Sequence, residues 1–149
     1  MAIRLYQINK RGEKMDSRVM VIGNDETSVG GLASLLEEAG IETVAVCNGG
    51  LVSERLSEVL PNAVIVEEES GMGGWEISSQ IRHESEVPLI LLGRSDSETA
   101  WVKAAAYGVD CYLARPFSPL ELIARIKAII RRYENNHQKL SWLETQKIA

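Results

Sequence analysis

Five short apolar runs, separated by segments of helical periodicity, constrain this chain more than any other feature. The runs cover residues 18–22, 42–46, 63–66, 88–92 and 111–113. They are rich in Val, Ile and Leu and show little polar alternation, the pattern of parallel strands covered on both faces. Between and after them, apolar residues recur at helical spacing. Val29, Leu32, Leu35 and Leu36 mark a first helix, and Val52, Leu56, Val59 and Leu60 a second. Ile77 and Ile81 mark a weaker third, the alanine-rich residues 101–106 a fourth, and Ile123, Ile126, Ile129 and Ile130 a fifth. Gly40 and Gly108 fall where the first and fourth helices should stop. This alternation predicts an α/β fold: a doubly wound, five-stranded parallel sheet.

A length of 149 residues suits one compact domain with short extensions. We read residues 1–16 as an N-terminal extension, 17–133 as the domain, and 134–149 as a C-terminal helical extension or linker. The chain is 45% hydrophobic, enough for a core, and its formal net charge of -5 argues against nucleic-acid contact by this domain itself. It has no apolar run long enough to cross a membrane. Arg4, Lys10, Arg11 and Lys14 lie in an N-terminus without the apolar centre of a secretory signal. Cys47 and Cys111 fall in predicted strands and read as free thiols, which fits a cytoplasmic setting.

In open α/β sheets the functional crevice lies beyond the carboxyl ends of the strands. The residues there are Gly23, Asn24, Asp25 and Glu26, then Glu67, Glu68 and Glu69, then Gly93, Arg94 and Ser95, then Arg115 and Pro116. Three consecutive carboxylates cannot all face one site, because side chains alternate, so the Glu67–Glu69 run reads as solvated loop acids rather than a metal cluster. His83 and His137 lack neighbours at a catalytic spacing and read as exposed helix residues. Ser95 or Ser97 should cap the fourth helix. Ser118, Pro119 and Glu121 spell a helix start: a cap, a first-turn proline and the acid of a capping box. Trp75 and Trp101 suit the core, or, for Trp101, an exposed contact surface. Gly71, Met72, Gly73 and Gly74 lack both the fingerprint and the position of a nucleotide-binding loop.

Residues 61–67, the Gly71–Gly74 segment, the block 108–118 and the block 121–126 carry a family resemblance through their order and spacing. From about residue 17 to 133 the chain resembles the CheY-like receiver domain of two-component response regulators, a flavodoxin-like (βα)5 fold, and looks most like receivers of the winged-helix transcription-factor class. The resemblance implies an acidic pair after the first strand that holds Mg²⁺ and an aspartate after the third that accepts a phosphoryl group. It also implies a hydroxyl residue after the fourth strand and a lysine after the fifth. Here the acidic pair falls on Gly23 and Asn24, the acceptor on Glu67, the hydroxyl on Gly93 and the lysine on Arg115. Every reactive position differs, while the switch aromatic is kept as Tyr112 and a cis-proline candidate as Pro116. Asp25, Glu26 and Glu67 offer only a weak substitute for the lost carboxylates, so Mg²⁺ binding is expected to be weak or absent, with no catalytic residue. Two readings of the changed site stand open. Glu67 and Arg115 form an ion pair that imitates the phosphorylated state, or both are solvated at a decayed site.

The same resemblance implies a contact face made by the fourth helix, the last strand and the fifth helix, with Trp101, Glu121, Arg125 and Ile126 on it. Its partner would be another protein or a second copy, as a homodimer. The family's ionic partner positions fall on Trp101 and Cys111, which cannot pair ionically. Ile123, Ile126, Ile130, Tyr133, His137 and Leu140 follow a coiled-coil-like spacing, with Trp142 and Leu143 beyond, whereas the polar residues 134–137 suit a fraying end or linker. The expected function is a non-enzymatic, phosphorylation-independent interaction or dimerisation module of signal transduction. The alternatives are a phospho-accepting receiver that uses Glu67, or the receiver half of a winged-helix DNA-binding regulator.

Overall fold

The computed structural model describes residues 7–8, 14–15, 17–47, 51–69, 73–94 and 97–148, with side chains from 17 to 137. A short antiparallel ribbon pairs β1 (Gln7–Ile8) with β2 (Lys14–Met15). The body of the fold then alternates β3 (Ser17–Gly23), α1 (Glu26–Glu38), β4 (Ile41–Cys47), α2 (Val52–Val59), β5 (Ala63–Glu67) and α3 (Gly74–Glu84). It continues with β6 (Leu89–Gly93), α4 (Glu98–Ala106), β7 (Cys111–Ala114) and α5 (Pro119–Ile148). The five later strands form one parallel sheet in the order β4-β3-β5-β6-β7. This is the doubly wound sheet expected from the sequence. Pro88 lies outside β6; having no N–H, it contributes only its carbonyl, which accepts from Val64.

Strand alternation divides the core in two. Val19, Val21, Ile65, Ile90, Leu92 and Leu113 face α1 and α5, meeting Val29, Leu36, Leu122 and Ile126. Met20, Ile22, Val64, Val66, Leu89 and Leu91 face α2, α3 and α4, meeting Leu56, Ile77, Ile81 and Ala104. Because both faces are covered, the strands read as unbroken apolar runs.

Gly40 and Gly108 do end α1 and α4, with φ of 81° and 77°. Two leucines share that left-handed region, Leu51 and Leu60, at the two ends of α2. Leu60 is 77% exposed, so neither packing nor its own backbone preference favours leucine there.

The last helix runs unbroken to Ile148, so of the two readings left open for residues 134–137 it takes the helical one. Two other expectations for it are corrected. Ile126 is fully buried and Ile130 nearly so, both against the sheet; their spacing serves the domain's own core and not a contact face. Ser118 opens the helix with its carbonyl, which accepts from the Leu122 N–H, and Glu121 lies towards Arg125 instead of closing a capping box. The side chains of Leu140, Trp142 and Leu143 lie outside the described residues, as do Gly71, Met72, Ser95 and most of the N-terminal extension.

Candidate functional site

The carboxyl ends of β3, β5, β6 and β7 converge on Gly23, Glu67, Gly93 and Ala114, with Arg115 one residue further on. Glu67 follows Ala63 and Ile65 in the alternation and so points to the α1 side of the sheet, where it is only 6% exposed. Its Oε2 accepts from Arg115 Nη2 at 2.6 Å and from Ser28 Oγ at 2.8 Å. A charge-assisted bond this short is stronger than a neutral one. Ser28 is in place because α1 starts at Glu26 behind its cap Asp25, whose Oδ1 accepts from the Ser28 N–H at 2.8 Å. The carboxylate therefore lies beside the first turn of a helix, the end that favours negative charge. Arg115 donates its own N–H to the Gly93 carbonyl, joins Pro116 through a cis bond, and lays its guanidinium over the Phe117 ring.

Gly23 takes its meaning from Glu67. A Cβ at position 23 would run into Glu67 Oε1 and Val29 Cγ2. The glutamate, one methylene longer than an aspartate, has reached back into the space that a side chain after β3 would need. Asn24 faces solvent, and Asp25 is engaged at its helix. A hard divalent cation wants several converging oxygens. Here one buried carboxylate faces a guanidinium, and no group of three acids, histidines or cysteines converges among the described residues.

Gly93 is filled in the same way. A Cβ there would collide with Tyr112 Oη and Cζ. Tyr112 is 1% exposed, stacked on Trp75 at 5.9 Å and 12°, with Trp101 edge-on at 5.9 Å and 68°. Trp75 is core, whereas Trp101 is 48% exposed on α4.

The acidic run after β5 is not a set of solvated loop acids, and that expectation is corrected at two of three positions. Glu67 is buried as described. Glu68 accepts from Trp75 Nε1 at 2.9 Å and from the Arg94 N–H at 2.7 Å. Only Glu69 is exposed, paired at the surface with Arg94. The roles of Ser28 and Glu68 were missed from sequence. Ser28 carried a faint signal as the third residue of a capped turn; Glu68 carried none.

In the first turns of α5, Glu121 and Arg125 are both exposed and 3.9 Å from each other. Ser97 caps α4 by accepting from the Ala100 N–H. His83 and His137 are exposed, His137 lying against Tyr133. Burial pushes the Cys111 thiol above its ordinary value, with Arg125 and Arg132 pulling weakly the other way.

Comparison with known proteins agrees with this architecture. The family model described as the response regulator receiver domain matches residues 19–127. The sensory transduction protein RegX3 of Mycobacterium tuberculosis is 32% identical over 83% of this chain and 55% of its own length. The DNA-binding response regulator MtrA of Mycolicibacterium smegmatis is 28% identical over 83% of this chain and 54% of its own. The chain thus spans about half the length of the curated relatives it matches. The receiver domain of Francisella response regulator 1452 superposes with a TM-score of 0.74 at 23% identity, covering 79% of this chain and 99% of that one. The BeF3-activated receiver domain of Klebsiella pneumoniae RstA gives 0.72 at 20% identity, over 76% and 98%. With its sheet order, its cis-proline corner and these matches together, the chain belongs to the response regulator receiver domain family.

Proposed function

We propose that this receiver works without phosphorylation, as a protein-interaction module of a cytoplasmic signalling system. One observation carries the reading: the Glu67 carboxylate fills the space over Gly23 and is bonded to Arg115 and Ser28. The guanidinium neutralises the carboxylate where a receiver of the usual kind uses a metal ion and a phosphoryl group. Glu67 is not a phospho-acceptor in this reading, because its Oε2 is engaged by Arg115 and Ser28, its Oε1 is packed over Gly23, and a small misplacement defeats in-line transfer. Output depends instead on the surface formed by α4, β7 and α5, where Trp101, Glu121 and Arg125 are exposed to a protein partner or a second copy.

The test is titration with Mg²⁺ and beryllofluoride, read by amide NMR shifts at Glu67 and Arg115 and by tryptophan fluorescence. No saturable response at millimolar Mg²⁺ is expected. Saturable, Mg²⁺-dependent shifts at Glu67 would overturn the reading and return the pocket to phosphoryl chemistry.

The relatives favour a second reading of the context, though not of the site. They are about twice the length of this match, and one is a DNA-binding response regulator, so we propose that the module serves a transcription regulator. A continuous reading frame encoding a DNA-binding domain after residue 149 tests this.

A further inference from the structure

We propose that Glu68 is a positioning residue that sets the outer face of α4, acting through Trp75 and Tyr112 on Trp101. The idea rests on the reading above that the α4 side is the presented surface, and it names what holds that surface in place.

The backbone around Glu68 is held from two sides. Its N–H donates to the Leu92 carbonyl and its own carbonyl accepts from the Gly74 N–H. Helix α3 begins so close that a Cβ on Gly74 would meet Glu68 Cα at 2.6 Å. That approach brings the Trp75 indole within reach, and Glu68 divides its two oxygens between Trp75 Nε1 and the Arg94 N–H. One carboxylate thus ties the start of α3 to the segment that leads into α4.

From Trp75 the contact passes outward ring by ring. Trp75 stacks on Tyr112, and Trp101 stands edge-on to the same tyrosine. Lys103 of α4 closes the loop, its ammonium 4.5 Å from the centre of the Trp75 ring. Such pairs prefer defined geometries, so a shift of one ring alters the best seat of the next. Gly93 leaves Tyr112 room for this inward seat, since any Cβ there would displace it. The exposed edge of the series is Trp101, with Val102 beside it on α4. A position next to the pocket therefore governs an indole at the surface that it does not touch.

The experiment uses the full chain labelled with 5-fluorotryptophan, whose three tryptophans give three ¹⁹F signals assigned by Trp→Phe variants. In Glu68→Ala, the Trp75 and Trp101 signals should both move while that of Trp142 stays. The Arg94 amide should exchange about tenfold faster on losing a bond to a charged acceptor. Glu68→Gln keeps one acceptor oxygen and should give partial rescue, which also covers the case in which the alanine variant fails to fold. In a Tyr112→Leu background, Glu68→Ala should still move Trp75 but no longer Trp101. A Trp101 signal unmoved by either Glu68 variant, or moved equally without Tyr112, would overturn the proposal. Beryllofluoride uptake by the unaltered protein would instead overturn the functional reading and leave the Trp101 result intact, so the two failures are distinguishable.

Discussion

Replacing Arg115 with methionine isolates the ion pair at the centre of the site. Methionine keeps an apolar stem against Phe117 and removes only the charge and its bond. The energetic consequence is bounded by two regimes. Breaking a buried pair costs about 3–5 kcal/mol because the remaining charge loses its partner, whereas exposed pairs contribute about 0–1 kcal/mol. Glu67 is buried with a side chain 8% exposed, but Arg115 is 50% exposed and partly screened by water. The bond is short, and Ser28 still donates to the carboxylate after the change. A loss of about 2 kcal/mol follows for Arg115→Met, or a fall in Tm of about 8 °C for a domain of this size. Urea unfolding of the unaltered protein, Arg115→Met, Glu67→Gln and the double variant closes a thermodynamic cycle. Its coupling energy should lie near 1–2 kcal/mol, within the range for residues in direct contact. A coupling below about 0.5 kcal/mol would show the pair to be solvent-screened and would remove the energetic basis of the closed site.

Gly93→Thr restores the family's hydroxyl but intrudes on Tyr112; we expect a loss of about 1–3 kcal/mol and a changed near-ultraviolet circular dichroism as the ring is displaced. Leu60→Gly relieves a left-handed leucine whose side chain is exposed, and should raise stability by about 0.5–1 kcal/mol in urea unfolding. Because burial raises the Cys111 thiol in the folded state, its contribution is complete below the ordinary value of 9.0 and is lost as pH climbs above it. Cys111→Val should flatten that alkaline decline when unfolding is compared at about pH 8 and about pH 10. The half-buried Cys47 should also react with a maleimide well before the buried Cys111.

The sheet was legible because parallel strands covered on both faces leave an unbroken apolar record, and Gly40 and Gly108 punctuate it. The site was half legible. Gly23 and Gly93 looked like deletions of chemistry, since a sequence shows which atoms are missing and not which neighbour moves in. Only the fold reveals that Glu67 and Tyr112 occupy those two spaces. Glu68 was misjudged for a related reason. Its partners are an indole seven residues on and a backbone N–H twenty-six residues on, and neither distance has a periodic signature. Ile126 was misassigned because an apolar stripe looks alike whether a sheet or a second helix covers it.

The continuity of α5 has a geometric consequence. Its 30 residues make a rod of about 45 Å, of which the stretch from Leu122 to Ile130 is clamped to the sheet. The clamp fixes azimuth as well as direction, so the distal end behaves like the hand of a dial. Inserting one residue beyond Tyr133 would turn everything after it by about 100° and advance it about 1.5 Å, whereas seven would bring it nearly back into phase. Anything joined at Ile148 is thereby presented at an angle set by residue count, and a ladder of insertions would trace its output as a wave rather than a slope.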